Sequence, residues 1–179
     1  MSVNPVSRNA RIMVLLVGLA VMGCTKMDDQ FLFRMEYDEI VAIPAGLNTI
    51  ETYTFVLKDI PTNYQILLQT NNLSDAAVNS INPGSARLTD ELNQLDFSRF
   101  ERISLLASNS DFKNEKEIAY LEVIPLNSTN QLQLFPTLVN ARDLFAAGTF
   151  NLRLKVKLRG FLTSSANIRM RIAMSARKP

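Results

Sequence analysis

The sequence predicts an all-β protein: an antiparallel β-sandwich, immunoglobulin-like or of a similar type, with one short helix. Several stretches alternate apolar and polar residues with a period of two, as half-buried strands do. Turn-forming residues separate these stretches at short intervals, which favours many short strands. The chain has 179 residues and is 47% hydrophobic, enough for one core of ordinary size. A small β-barrel is the alternative, because no fingerprint in the sequence separates it from a sandwich.

Seven segments carry the strand pattern. In the first, "IETYTFVLK", Tyr53, Phe55 and Leu57 share one face. The polar residues Thr52, Thr54 and Lys58 lie on the other. The segment "EIAYLEVIP" is apolar on both faces, which makes it the candidate central strand. The predicted strands are residues 50–58, 64–70, 100–107, 117–125, 131–135, 149–159 and 167–176.

The other segments carry turn or helix signals. Residues 71–84 are rich in Asn, Ser and Asp and contain a Pro-Gly turn, so they are predicted to be mainly loop. Residues 85–100 are ambiguous, and Thr89 could open one helical turn there. Asn140 fits the N-cap of a short helix and Gly148 its C′ position, so the one predicted helix lies between them.

The first 23 residues have the pattern of a secretory signal peptide. Arg8 and Arg11 supply positive charge, and Ile12–Met22 is then an uncharged apolar run that ends before a small residue. The run is about eleven residues long, too short to cross about 30 Å of hydrocarbon as a helix. The sequence therefore predicts that residues 1–23 are removed.

The single cysteine follows that run in the sequence Val-Met-Gly-Cys, which ends at Cys24. One cysteine allows no internal disulfide. The motif resembles the lipobox of bacterial lipoproteins, a resemblance that covers about the first 25 residues. It implies cleavage before Cys24, a diacylglycerol on its sulfur and a further acyl chain, such as palmitate, on its new amino group. Several chains anchor a protein stably, since each buried methylene contributes about 0.8 kcal/mol.

The residues after the cysteine suggest where in the cell envelope the protein is located. Lys26, Asp28 and Asp29 resemble the surface-export signal of Bacteroidetes lipoproteins, with Met27 interrupting the pattern. That resemblance implies a lipid-anchored protein of the outer membrane, exposed on the cell surface. The alternative is a polar tether on the periplasmic face. Residues 24–49 are then a lipidated tether and lead-in, and residues 50–179 form a single β-sandwich domain.

The charge of the processed chain argues against nucleic acid as a partner. The full chain has 19 basic and 17 acidic residues and no histidine. Removal of residues 1–23 takes away Arg8 and Arg11 and no acid, so the processed chain is neutral. A neutral protein outside the cytoplasm lacks the excess of basic residues with which proteins bind the phosphate backbone of nucleic acids.

One charged pattern is a candidate binding surface. Basic residues alternate with apolar ones along "FNLRLKVKLRG", which places four cations on one side of a strand. Residues 168–172 repeat the pattern, and a hairpin between the two strands would add two more. The predicted cationic patch is Arg153, Lys155, Lys157, Arg159, Arg169 and Arg171.

Two interpretations of this patch stay open. It is either a solvated face paired with acids such as Glu115, Glu117 or Glu122, or a surface that meets anionic lipid headgroups or an acidic partner.

The composition also limits catalysis. Without histidine the chain has no Ser-His-Asp triad and lacks the commonest metal ligand. The carboxylate pairs Asp90 with Glu91, and Glu115 with Glu117, are the clustered acids to test first for acid–base chemistry. We expect no cofactor and no metal site.

The function expected is therefore that of a non-catalytic accessory or structural component of an outer-envelope complex, with an outer-membrane protein complex as partner. A surface ligand-binding module is the second hypothesis, with exposed aromatics as its signature. The candidate aromatics are Tyr37, Tyr53, Tyr64 and Tyr120. An enzyme is the third.

Overall fold

The computed structural model describes residues 30–92 and 95–179. The predicted signal peptide, the lipidation residue Cys24 and the export residues Lys26, Asp28 and Asp29 lie outside the described residues. Within the described part there are eight strands and two short α-helices. The strands are β1 (Phe31–Ile43), β2 (Thr52–Pro61), β3 (Ser80–Asp90), β4 (Phe100–Ser108), β5 (Lys116–Leu121), β6 (Gln131–Pro136), β7 (Thr149–Leu158) and β8 (Ala166–Arg177). The helices are α1 (Tyr64–Thr70) and α2 (Arg142–Phe145).

All strand pairs are antiparallel, and the strand order is β1-β8-β3-β6-β5-β4-β7-β2. Strands β5 and β6 share only two residue pairs, Ala119 with Pro136 and Tyr120 with Phe135. That weak junction divides the strands into a first sheet, β1-β8-β3-β6, and a second sheet, β2-β7-β4-β5. This is the strand order of an eight-stranded jelly roll. The all-β prediction is confirmed, and the contact between β1 and β2 makes the arrangement nearly a closed barrel.

The core lies between the inner faces of the two sheets. Along β7 the apolar side chains point inward and are buried, while the basic ones alternate with them and point outward. Tyr37 of β1 meets Phe150 of β7 edge to face, with ring centroids 5.0 Å apart, and Phe145 of α2 packs 4.6 Å from Phe150. Fully burying one such side chain stabilises the fold by about 1.5–3 kcal/mol.

One predicted strand is a helix. Residues 64–70 form α1, not a strand. Asn63 adopts a left-handed conformation, with φ of 55°, and turns the chain immediately after β2. Tyr64 and Leu68 then lie one helical turn apart and are both buried. The prediction of a strand was wrong because apolar residues in a segment this short match both periods.

Two further segments are strands that the sequence did not predict. Strand β3 covers parts of the predicted loop and of the ambiguous segment, and pairs with β8 on one side and β6 on the other. A bulge between Pro83 and Ser85 lets the Pro-Gly pair sit inside it. Strand β1 lies within residues 24–49, so the folded part includes chain that the sequence assigned to the lead-in.

The predicted short helix is confirmed as α2, but its caps are not those predicted: Ala141 is the N-cap, while Asn140 Oδ1 accepts from Arg142 N one residue further on. Gly148, at a positive φ of 87°, lies two residues beyond the C-cap Ala146. Helix α2 is not the only helix, since α1 is the second within the described residues. The predicted hairpin between the last two strands does not form. Strand β7 lies between β2 and β4, whereas β8 lies between β1 and β3. Their connection therefore crosses from one sheet to the other.

Candidate functional site

The cationic patch predicted from the sequence is divided between two outer faces. The four basic residues of "RLKVKLR" belong to the second sheet or the loop after it, and Arg169 and Arg171 belong to the first sheet. On the second sheet Glu115 pairs with two of them: Arg153 Nη1 lies 2.7 Å from Glu115 Oε1, and Lys155 Nζ lies 3.5 Å from Oε2. The other two bind backbone carbonyls. Lys157 donates to Ile50 O, and Arg159 donates to Ser98 O and Ile124 O.

The first-sheet pair also has acidic partners. Arg169 Nη2 lies 2.7 Å from Glu91 Oε1, and both Arg169 and Arg171 lie 3.3 Å from the Asp38 carboxylate. Each of the six residues of the predicted patch thus either has an acidic partner or donates hydrogen bonds to backbone carbonyls. The patch is not one continuous cationic surface.

A groove that the sequence did not suggest lies on the outer face of the first sheet, with a volume of about 370 Å³. We name it the arginine groove, because three arginines line it beside two acids. The polar and small lining residues are Arg34, Arg87, Arg171, Glu36, Asp38, Ser85, Gln133 and Ala173. Ser85 and Ala173 are paired across β3 and β8, and Glu36 of β1 pairs with Ala173 on its other side. Because serine and alanine are small and the flanking side chains are long, the sheet surface forms a depression there.

Arg87 is the groove arginine that has no acidic partner among the described residues. It lies directly opposite Arg171 in the antiparallel register, a like-charge pair that costs free energy. Its Nε lies 3.5 Å from Gln133 Oε1, and it forms no ion pair with any described residue. Sequence reasoning missed this residue because it lies in the segment whose structure was ambiguous.

A second candidate surface is formed by loops at one end of the sandwich. The connections β1–β2, β3–β4, β5–β6 and β7–β8 all meet there. Their backbones are joined by hydrogen bonds, such as those from the amides of Arg159 and Gly160 to the Arg99 carbonyl. Five large apolar side chains are at least 60% exposed on these loops. They are Ile50, Leu92, Val123, Leu126 and Phe161. We name this surface the apolar loop end.

The opposite end receives the N-terminal part of the chain. Phe31, the first residue of β1, pairs with Arg177 at the end of β8, and Lys178 N donates to Gln30 O. Helices α1 and α2 lie in the connections at this same end. The apolar loop end and the entry of the chain are thus separated by the full length of the strands.

The four tyrosines proposed as a ligand platform do not form one. Tyr37 and Tyr64 are buried, and burial raises the pKa of Tyr37 above its ordinary value. Its hydroxyl donates to Thr62 O at 3.1 Å. Tyr53 and Tyr120 are partly exposed, and Tyr120 packs against the exposed ring of Phe135 with centroids 6.5 Å apart.

No family model matches the chain, and no curated protein matches it. Among solved structures, the chain is similar to the protein of a crystal structure of decameric BFDV capsid protein. The TM-score is 0.35 and the identity 8%, over 81% of this chain and 98% of that one. A likeness this distant supports no conclusion about function. Among the described residues, no helix combines the length and the apolar character needed to span a bilayer.

Proposed function

We propose that the protein is a lipid-anchored, non-catalytic accessory or structural component of a bacterial outer-envelope complex, attached to the outer membrane through Cys24. The observation that supports this proposal is the separation of the two ends of the sandwich. The chain enters the fold at one end, and five of the eight large apolar side chains that are at least 60% exposed among the described residues lie on the loops at the other. A protein held at one end and apolar at the other has the form of a spacer that presents a docking surface.

Chain geometry supports this orientation. About seven Cα–Cα steps separate Cys24 from Phe31, which limits their distance to about 25 Å. Strand β1 has 13 residues, so it extends for about 40 Å from its first residue. A short tether thus keeps Phe31 near the membrane, while β1 allows the apolar loop end to lie up to about 40 Å further out.

A protein partner with an apolar docking surface is the occupant that we propose for the apolar loop end. The five exposed side chains lie on loops whose backbones are hydrogen-bonded to one another, and exposed apolar surface gathered in this way is typical of interaction sites. The same end exposes the acids Glu51, Glu101 and Glu122, and Arg159 is bound to backbone carbonyls there. It therefore lacks the excess of free cations with which a surface binds anionic lipid.

Affinity purification in mild detergent tests this proposal. The wild-type lipoprotein should recover a defined membrane protein, and the double variant Val123→Ser, Leu126→Ser should lose it. Leu138 is the matched control, because it is 97% exposed in the β6–β7 connection at the opposite end. Leu138→Ser should retain the partner. A solitary monomer in every detergent, or equal loss from both variants, would refute the proposal.

The second candidate function is a surface ligand-binding module. The arginine groove favours it, because the groove brings a guanidinium without an acidic partner beside a depression of small-ligand size. The two candidates are separable, since the groove lies on a sheet face and the apolar side chains lie on the loops.

A further inference from the structure

We propose that the arginine groove binds a small ligand through a carboxylate, with Arg87 as the principal contact. The proposal rests on the second candidate function, whose ligand class it specifies. It depends neither on the lipid anchor nor on the apolar loop end.

The register of three strands builds the groove. Residues Glu36, Ala173 and Ser85 lie side by side on β1, β8 and β3, and so do Asp38, Arg171 and Arg87 one step further along. In the first row Ala173 and Ser85 have small side chains, so the surface of the sheet forms a depression there. The second row places two guanidinium groups beside that depression. A ligand resting on Ala173 and Ser85 would therefore have Arg87 within reach.

The charges of this face leave one cation without an acid. Around the groove lie four arginines, Arg34, Arg87, Arg169 and Arg171, together with three acids, Glu36, Asp38 and Glu91. Arg34 Nε lies 3.0 Å from Glu36 Oε1. Asp38 and Glu91 are held by Arg169 and Arg171. Of these four arginines, Arg87 is the one that has no acidic partner among the described residues.

Neighbouring groups hold Arg87 in place. The side-chain amide of Gln133 donates to Ala86 O at 2.9 Å, which turns its oxygen toward Arg87 Nε. The terminal nitrogens of Arg87 then have no acceptor among the described residues. A guanidinium with a free edge forms two parallel hydrogen bonds to a carboxylate.

Ser85 supplies the second polar contact. Its Oγ accepts a hydrogen bond from Arg34 Nη2 at 3.3 Å, so its own hydroxyl hydrogen is free to be donated to a ligand. A carboxylate fits better than a phosphate dianion, because one unpaired cation balances one negative charge and Glu36 and Asp38 stand close by.

Equilibrium dialysis of the full lipoprotein in detergent micelles tests the proposal. The probes are the monocarboxylates glucuronate, benzoate and N-acetylglycine, their neutral partners glucose, benzyl alcohol and N-acetylglycine amide, and inorganic phosphate. We expect saturable binding of at least one monocarboxylate at one site per chain, and weaker or no binding of its neutral partner. Arg87→Gln should weaken that binding by about tenfold or more, since hydrogen bonds between charged groups are among the strongest.

The matched control is Arg102→Gln on the outer face of the second sheet, which should bind the probes as the wild type does. Arg87→Gln removes a like charge opposite Arg171, so its thermal unfolding midpoint should be no lower than that of the wild type. If that variant does not fold, Arg87→Lys is the alternative. It keeps the charge but cannot form a bidentate hydrogen bond, so it should lose monocarboxylate binding to the same extent. Absence of saturable monocarboxylate binding, tighter binding of phosphate, or equal loss in Arg102→Gln would overturn the proposal.

Discussion

Tyr64, Asp75 and Arg142 connect three segments at the end where the chain enters the fold. The Tyr64 hydroxyl donates to Asp75 Oδ1 at 2.6 Å, and Arg142 Nη2 lies 2.6 Å from Asp75 Oδ2. The hydrogen bond from Tyr64, followed by the charge of Arg142, holds the pKa of Asp75 below its ordinary value. Burial, followed by the Asp75 carboxylate, raises the pKa of Tyr64 to about 12.

These shifts define a pH window for the network. Asp75 has a lowered pKa when folded, so its contribution is present above the ordinary value of 3.8 and is lost as the pH falls through the lowered one. Tyr64 has a raised pKa, so its contribution is complete below 10.0 and is lost as the pH rises through about 12. The network therefore stabilises the fold across the whole neutral range.

Tyr64→Phe should lower the free energy of unfolding at pH 7 by about 1 kcal/mol, because one hydrogen bond is lost and the packing is kept. The pKa of Asp75 should move up toward its ordinary value, since the largest cause of its shift is removed. Urea denaturation and a carboxyl NMR titration measure the two effects. Tyr120→Phe is the control, because the Tyr120 hydroxyl has no hydrogen-bond partner among the described residues. Equal losses in the two variants would contradict this account.

At the scale of elements, strict alternation identified the strands with one buried face, such as β2 and β7. The alternation pattern did not predict strands that form because they pair with segments far away in the sequence. Strand β3 contains proline and glycine, and it forms a strand because β8 and β6 flank it and a bulge absorbs the extra residue. Strand β1 does alternate, with Phe33, Met35 and Tyr37 buried, but it follows the predicted lipidation residue so closely that the sequence pattern assigns it to the tether.

The arginine groove could not be predicted for the same reason. Arg34 lies in β1 and Arg87 in β3, the two strands that were missed, and Arg171 comes from β8. Their proximity depends on the register of three strands that are far apart in the sequence. The sequence shows that basic and apolar residues alternate along β7 and β8. It does not show that these strands lie in different sheets, because that depends on the crossing of the β7–β8 connection.

Adjacent positions on β7 should differ sharply in their contribution to stability. Leu154 is buried between Phe55 of β2 and Leu105 of β4, so Leu154→Ala should lower the free energy of unfolding by about 2–5 kcal/mol. Lys155 faces outward, and its contact with Glu115 is partly exposed, so Lys155→Ala should cost less than about 1 kcal/mol. Urea denaturation of both variants measures the difference. Similar losses would show that β7 does not present these faces.

At the scale of the whole molecule, the jelly-roll connectivity assigns different surfaces to different parts of the chain. The odd-to-even connections, from β1–β2 to β7–β8, form the apolar loop end, and the connections that contain α1 and α2 lie where the chain enters. The arginine groove lies on the side, between these ends. An anchor at the entry would therefore leave both proposed surfaces accessible at once.

The anchor itself gives the last prediction. Cys24→Ser should abolish labelling of the protein by radioactive palmitate in growing cells and leave the signal peptide attached, because the lipidated sulfur precedes cleavage in proteins that this motif resembles. Gel electrophoresis with autoradiography, and the mass of the intact protein, measure the two effects. Thr25→Ala is the control and should be labelled and processed normally. Undiminished labelling of Cys24→Ser would refute the anchor, and with it the orientation proposed for the apolar loop end.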